Sequence, residues 1–204
     1  MNGTSTSVLT TDNKDGKNKL TVLVAEDDTA ISTQYKIALE ARNHSAVITS
    51  DGEQCLKVYR DALKGTESKT ENHSPFDVVV LDYRMPNMDG MEAAKRILEM
   101  NPEQRIIFAS AYVKETLMES LQLLKQLVEF IEKPFRVFLL VAIIEDKKTG
   151  EEIERMNGII RRTKNFDPKP EQIRDLHDAL NKIQKGRGYL LDALDIIEET
   201  VQHT

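Results

Sequence analysis

Acidic, hydroxyl and basic side chains follow the ends of four predicted strands in this chain. Asp82 ends the apolar run 78–81, residues 26–28 (EDD) follow the first strand, and Ser110 and Lys133 end two later strands. Clustered carboxylates repel one another unless a cation neutralises them, and a set of oxygen ligands suits Mg²⁺. A lysine and a hydroxyl that face such a cluster can receive the oxygens of a phosphoryl group. Asp82 is then a candidate nucleophile that would form an aspartyl-phosphate.

Strands and helices alternate over the part of the chain that positions these side chains. The apolar patterns predict strands at 20–25, 46–49, 76–81, 105–109 and 128–131, and helices at 31–41, 53–63, 91–100, 114–127 and 136–145. Such alternation implies a parallel sheet with right-handed crossovers. We therefore predict an α/β fold with a doubly wound five-stranded parallel sheet, flavodoxin-like, in strand order 2-1-3-4-5, and a site at the carboxyl ends of the strands.

The chain divides into three predicted segments. Residues 1–19 are rich in polar residues and predict a disordered N-terminal segment, and residues 20–146 form the α/β domain. Residues 147–204 predict a helical C-terminal extension that begins with a polar break at 147–150. Its amphipathic stretches predict helices at 152–162, 170–185 and 189–201. The extension is a candidate output, dimerisation or partner-binding segment.

Composition excludes several classes of protein. Cys55 is the only cysteine among 204 residues, which argues against a disulfide framework and is typical of a reducing cytoplasm. The N-terminus lacks the apolar stretch of a signal peptide, and no apolar run approaches the length that spans a membrane. Residues 147–204 hold 11 Lys and Arg against 11 Asp and Glu, without the basic excess of a nucleic-acid-binding surface. We therefore expect a cytoplasmic protein with no membrane partner.

One run of residues carries a family resemblance. Residues 81–90 (LDYRMPNMDG), together with the acidic pair at 26–27 and residues 133–135 (KPF), resemble the receiver domain of two-component response regulators. The resemblance covers residues 20–146. It implies a signalling phosphoacceptor whose own chemistry is limited to slow self-phosphorylation and dephosphorylation. A histidine kinase or phosphotransfer protein is the implied phosphoryl donor, and a further protein is the implied downstream target.

The resemblance also assigns a role to each site residue. Asp82 corresponds to the phosphoacceptor, Ser110 and Lys133 to residues that bind the phosphoryl group, and Phe130 to the aromatic residue that turns inward as Ser110 moves. The implied Mg²⁺ ligands are Glu26, Asp27, Asp82 and the main-chain carbonyl of Arg84.

One position departs from the commoner family pattern, and two others are expected to affect how fast the phosphoryl group is hydrolysed. Glu26 stands where an aspartate is more usual, a difference that should shift the metal geometry slightly. Arg84 and Tyr112 occupy the two positions that, in the family, tune hydrolysis of the phosphoryl group. Both side chains are bulky here, so we predict a long-lived phosphorylated state.

Each residue also has a simpler interpretation when it is taken alone. Asp82 could cap a helix, Ser110 could be a loop hydroxyl, and Lys133 could be an ordinary surface lysine. Four matching residue types at four strand ends in the family order favour the site over these alternatives. His177 could belong to a phosphorelay, but its position beside an apolar stripe favours a solvent-facing helix residue.

The sequence says less about how the last receiver helix and the C-terminal extension would transmit a signal. Residues 137–144 are apolar all round, so we expect the outer face of the last receiver helix to be covered. A fold-back of the C-terminal helices and a homodimer through the last receiver helix and the C-terminal helices both remain open. The leading hypothesis is a switch that presents or hides a protein-binding surface, and the alternative is a transcription regulator with a small C-terminal DNA-binding unit.

Overall fold

A single parallel sheet forms the centre of the molecule. The computed structural model describes residues 19–66, 74–112, 116, 118–163, 168–169, 171–172, 175–176 and 178. The five strands are β1 (Thr21–Ala25), β2 (Ser45–Thr49), β3 (Val78–Asp82), β4 (Ile106–Ser110) and β5 (Glu129–Glu132). All neighbours pair in parallel, in the order β2-β1-β3-β4-β5. This confirms the predicted fold class and strand order.

Helices connect the strands and cover both faces of the sheet. They are α1 (Thr29–Ala41), α2 (Gly52–Thr66), α3 (Gly90–Met100), the π-helical turn α4 (Ser120–Leu124), α5 (Val137–Glu145) and α6 (Lys147–Arg162). The helix predicted at 114–127 ends early, because Lys125 adopts a left-handed backbone conformation with φ of 55°. Residues 113–115 and 117 of that helix lie outside the described residues.

Alternate residues of the strands enter two separate cores. Val22 and Val24 of β1 pack on the side of α1 and α5, whereas Leu23 and Ala25 pack on the side of α2, α3 and α4. All four side chains are fully buried. A strand that is buried on both faces has a continuous apolar sequence, which is why β1 and β3 are so easily recognised.

Helix α6 begins earlier than the sequence predicts. The polar residues at 147–150 form its first turn, since the Asp146 side chain accepts hydrogen bonds from the Thr149 backbone N–H at 3.2 Å and hydroxyl at 2.7 Å. Asp146 is thus the N-cap of a helix whose start the sequence analysis took for a break. The division between residues 20–146 and 147–204 as functional units stays a prediction.

The inner face of α6 completes the core on the α3 side of the sheet. Ile153, Met156 and Ile160 are buried in the same apolar cluster as Leu127 and Val128. The outer face of α5 is therefore not covered by α6, and Phe138 is 62% exposed. Leu176, in the next predicted helix, is buried in the same cluster. Residues 1–18 and 179–204, which include nearly all of the predicted disordered segment and the whole of the last predicted helix, lie outside the described residues.

A buried ion pair holds the amino ends of β4 and β5 against the end of α5. Arg105 donates to Glu129 through Nε at 2.6 Å and Nη2 at 2.8 Å. The same guanidinium donates to the carbonyl oxygens of Ile143, Ile144 and Asp146 at 2.8, 2.9 and 3.1 Å. A positive charge is favourable at these carbonyls because they form the negative end of the α5 helix dipole.

Among the described residues, no helix is both long enough and apolar enough to cross a membrane.

Candidate functional site

Three carboxylates meet at the carboxyl ends of β1 and β3. These strands are neighbours, with Ala25 opposite Leu81, so the residues that follow them share one edge of the sheet. One carboxylate oxygen from each of Glu26, Asp27 and Asp82 lies within 4.8 Å of the others. The structure thus brings together the three predicted side-chain ligands for a metal.

Lys133 reaches this cluster from the end of β5. Its Nζ donates to Glu26 Oε2 at 2.8 Å and lies 3.1 Å from Asp82 Oδ2. The Glu26 side chain is 2% exposed and that of Asp82 is 14% exposed, so the pair is shielded while Asp82 keeps an opening to solvent. One ammonium group opposes three carboxylates, and the site keeps a negative excess that attracts a cation.

Burial and the neighbouring charges shift the protonation of this cluster. Burial raises the pKa of Glu26, and the charge of Asp82 raises it further, while Lys133 acts in the opposite direction. Burial also acts against the charge of Lys133, but its contacts with Glu26 and Asp82 outweigh this and raise its pKa above the usual value. Lys133 therefore stays protonated at neutral pH as a fixed positive charge beside Asp82.

Gly90 allows the backbone around Asp82 to close tightly. A Cβ atom at position 90 would lie 2.1 Å from the carbonyl oxygen of Asp82, which is far inside van der Waals contact. The Gly90 N–H donates to the Tyr83 carbonyl at 3.1 Å, and Asp89 caps α3 by accepting from the Glu92 N–H at 2.8 Å. The glycine of the 81–90 run is thus required by the close approach of α3 to the end of β3.

The loop after Asp82 is braced against α2 by a residue that the sequence analysis missed. Asp51 is 7% exposed, caps α2 through the Gln54 N–H at 2.8 Å, and accepts from the Asn87 amide at 3.3 Å. Asn87 has a φ of 64°, a left-handed conformation that asparagine tolerates better than most residues. Residues 50–52 (SDG) are typical of a turn, but nothing local in the sequence connects them with position 87.

Ser110 and Phe130 are both buried. Ser110 is fully buried at the end of β4, and its carbonyl oxygen accepts from the Lys133 N–H at 2.9 Å. Its hydroxyl is held within its own loop by Tyr112 and Thr116. Phe130 is 2% exposed and pairs with Phe108 across β4 and β5. The structure places the predicted switch aromatic inside the core, on the strand next to Ser110.

Arg84 and Tyr112 form the outer rim of the site. The guanidinium carbon of Arg84 lies 4.4 Å from the centre of the Tyr112 ring, a cation–π arrangement. The Arg84 N–H is 3.4 Å from Asp82 Oδ1, at the long end of hydrogen bonding. The two bulky residues named from the sequence are therefore in contact with each other, next to Asp82. The role of the Arg84 carbonyl as a metal ligand stays a prediction.

Tyr35 of α1 is a further neighbour of the site that the sequence analysis did not identify. Its ring is 4% exposed and stacks on Phe135 with centroids 5.8 Å apart. Burial raises the pKa of its hydroxyl, and the charges of Glu26 and Asp82 add to the shift. The stack holds Phe135, which follows Lys133 by two residues, against α1.

Comparison with known proteins identifies the family. The response regulator receiver domain family model matches residues 22–145, and the chain belongs to that family. Probable histidine kinase 2 of rice (Oryza sativa subsp. indica) is 36% identical over 81 residues, which are 38% of this chain and 8% of the kinase. The chemotaxis protein CheY of Treponema pallidum is 30% identical over 103 residues, which are 50% of this chain and 65% of that protein.

The solved structures agree on the fold. The receiver domain of a histidine kinase from Arabidopsis thaliana, complexed with Mg²⁺ and BeF3⁻, superposes with a TM-score of 0.52 at 23% identity. The match covers 63% of this chain and 91% of that domain. The chain spans less than two thirds of the length of the curated relatives described above.

Proposed function

We propose that this chain is a phosphorylation-controlled switch in which Asp82 accepts a phosphoryl group from a phosphohistidine on a histidine kinase or phosphotransfer protein. The observation that carries the proposal is the contact of Lys133 with both Glu26 and Asp82 at the ends of neighbouring strands. The ammonium group of a lysine held between two carboxylates can exchange these contacts for contacts with the oxygens of an incoming phosphoryl group without leaving the site. The charge that the phosphoryl group brings is about −1.5 to −2.

The donor set fits Mg²⁺. Three carboxylates within 4.8 Å offer only oxygen ligands, which magnesium prefers over softer metals. Glu26, Asp27, Asp82 and the Arg84 carbonyl are the proposed ligands. When bound, the ion neutralises negative charge as a carboxylate and a phosphoryl group approach each other.

The transfer itself needs few groups from this chain. A carboxylate oxygen of Asp82 forms the new bond to phosphorus, the phosphorus–nitrogen bond of the donor breaks, and the imidazole leaves with that electron pair and takes up a proton. Lys133 neutralises part of the charge on the phosphoryl oxygens. Of the two carboxylates that contact Lys133, Glu26 is buried and Asp82 is partly exposed, so Asp82 is the one open to the donor.

The test of this proposal is phosphorylation by a small donor. We expect acetyl phosphate with Mg²⁺ to add the mass of one phosphoryl group to the peptide that contains Asp82, and chelation of the metal to prevent it. Label on another residue, or label that is independent of Mg²⁺, would contradict the assignment.

The Arg84–Tyr112 contact supports the prediction of a long-lived phosphorylated state. A guanidinium stacked on an aromatic ring beside Asp82 obstructs the approach of water to the aspartyl-phosphate. We expect Arg84→Ala to shorten the lifetime of the phosphorylated protein about two- to fivefold, the factor that matches a cation–π contact of ~0.5–1 kcal/mol. The measurement is the decay of label after removal of the donor.

Arg96→Ala is the matched control, because Arg96 is an exposed arginine paired with Glu92 on the surface of α3. Its replacement should leave the lifetime unchanged. A wild-type lifetime of only seconds would refute the prediction, whatever the effect of Arg84→Ala.

We also propose that the output passes through α6. The Asn157 side chain accepts from the Leu127 N–H at 2.6 Å and donates to the Leu127 carbonyl at 2.9 Å. Leu127 precedes the switch aromatic Phe130 by three residues, so a movement of β5 changes the backbone that α6 holds. The alternative of a C-terminal DNA-binding unit gains no support from the described residues.

The test measures hydrogen exchange in α6 when a phosphoryl mimic binds at Asp82. We expect beryllium fluoride, a phosphoryl mimic, to speed hydrogen exchange in residues 153–162 while exchange in β1 and β3 stays slow. Asp82→Asn treated with the same reagent is the control and should show no change. Unchanged exchange in α6, with the mimic bound, would contradict this route.

A homodimer through α5 is the competing output. Between α1 and α5 lies an apolar groove of about 410 Å³ lined in part by Phe138, which is 62% exposed, and the next residue of α5, Leu139, is 38% exposed. Mass by light scattering in the same samples distinguishes the two outputs. A monomer that becomes a dimer with beryllium fluoride, while α6 keeps its protection, favours the dimer.

A further inference from the structure

A closed ring of hydrogen bonds holds the hydroxyl group of Ser110. The Tyr112 N–H donates to Ser110 Oγ at 2.8 Å. Thr116 Oγ1 lies 3.1 Å from Ser110 Oγ and 2.7 Å from the Tyr112 carbonyl oxygen. The three residues therefore form a cycle in which Ser110 contacts Thr116, Thr116 contacts Tyr112, and Tyr112 contacts Ser110.

The number of protons fixes the direction of the ring. A hydroxyl has one proton, and the Tyr112 carbonyl can only accept, so the proton of Thr116 serves the shorter contact of 2.7 Å. The 3.1 Å contact between the two hydroxyls then requires the proton of Ser110. Each of the three donors has one acceptor, so the bonds run in one direction from the Tyr112 N–H through the two hydroxyl groups to the Tyr112 carbonyl oxygen, and each bond in such a chain strengthens the next.

The two hydroxyl groups of the ring are shielded from water. Ser110 and Thr116 are both fully buried, so solvent does not compete for their hydroxyl groups. In this arrangement the proton of Ser110 points to Thr116 and is not available to a phosphoryl oxygen on Asp82. Ser110 can bind a phosphoryl group only after this bond to Thr116 is broken.

We propose that Thr116 is a positioning residue that holds Ser110 in the resting arrangement and so sets how readily the phosphorylated arrangement forms. This inference rests on the proposed function, in which Ser110 moves to bind the phosphoryl group on Asp82. The resting arrangement contains both hydroxyl contacts of Thr116. The phosphorylated arrangement keeps only the contact from Thr116 to Tyr112, because the proton of Ser110 has moved to the phosphoryl oxygen.

Removal of the Thr116 hydroxyl therefore weakens the resting arrangement by one more hydrogen bond than the phosphorylated one. We expect Thr116→Val, which keeps the shape of the side chain, to bind beryllium fluoride about two- to tenfold more tightly in the presence of Mg²⁺, the range that corresponds to one net hydrogen bond. Affinity is measured by fluorine NMR of the bound mimic. Thr116→Ser, which restores the hydroxyl, should return the affinity to that of the wild type.

A second pair of variants separates this role from a merely structural one. In a Ser110→Ala background the ring is already open, so adding Thr116→Val should leave the affinity unchanged. Thr116→Ala provides the same comparison if the valine variant folds poorly. Unchanged or weaker binding by Thr116→Val in the wild-type background would overturn the proposal. If folded wild-type protein fails to bind the mimic at Asp82, the proposed function itself is wrong, which is a different result.

Discussion

Replacement of Asp82 by asparagine is expected to abolish phosphorylation of this chain while leaving its fold intact. The amide group lacks the nucleophilic carboxylate oxygen, so no aspartyl-phosphate can form. The side chains have nearly the same shape, and Lys133 keeps its 2.8 Å contact with Glu26. The folded state loses one contact to Lys133 and one source of repulsion with Glu26, so thermal unfolding should change little. The measurement is uptake of label from acetyl phosphate with Mg²⁺.

Asp89→Asn is the matched control for this experiment. Asp89 lies in the same loop and caps α3, a role that asparagine also performs. This variant should take up label as the wild type does. If Asp82→Asn is still labelled to the same extent, the assignment of the phosphoacceptor is wrong.

In the proposed function the phosphoryl group acts at one point, and its effect has to reach distant residues through a two-state element. Ser110 at the end of β4 and Phe130 on β5 lie on neighbouring strands, with Ser110 paired opposite Glu132. The Asn157 contact with Leu127 joins α6 to the segment that leads into β5. A change at Asp82 that moves Ser110 therefore has a physically continuous path to α6.

The fold and the charged part of the site could be predicted because each depends on local patterns. The apolar runs of β1 and β3 are buried on both sides, and each is followed by its acidic residues with no intervening loop. Parallel strands bring their carboxyl ends to the same edge, so the positions of Glu26, Asp82 and Lys133 follow from the strand order. Gly90 belongs to the run 81–90 that carries the family resemblance, but the sequence does not show that it lies against the carbonyl of Asp82.

Other contacts could not be predicted because their partners are distant in sequence or ordinary in type. Asn157 pairs with the backbone of Leu127, and any polar residue on α6 would have looked suitable for a solvent-facing position. Thr116 is one hydroxyl in a polar stretch, and its role depends on the turn after Ser110. Glu129 begins a strand and would ordinarily be expected at the surface, but its partner Arg105 is 24 residues away.

The second large effect is expected from Arg105→Met. Glu129 is 2% exposed, and the variant leaves its carboxylate buried without a positive partner. Loss of one member of a buried ion pair costs about 3–5 kcal/mol of the free energy of unfolding. The three carbonyl oxygens at the end of α5 also lose the hydrogen bonds from the guanidinium. The measurement is urea unfolding, with Arg96→Met, an exposed arginine paired on α3, as the control that should change stability by about 0.5 kcal/mol or less.

The pH dependence identifies which loss dominates. Burial raises the pKa of Glu129 in the folded protein even with Arg105 present, and loss of the guanidinium raises it further. An acid whose pKa is higher in the folded than in the unfolded chain makes folding less favourable as pH rises between those two values. The loss in free energy of unfolding caused by Arg105→Met should therefore be smallest in mildly acidic solution and largest above neutrality.

Adding Glu129→Leu, which removes the buried charge, should recover much of the stability and abolish the pH dependence. A deficit that is the same at all pH values would mean that the α5 carbonyl contacts, rather than the ion pair, account for the contribution of Arg105.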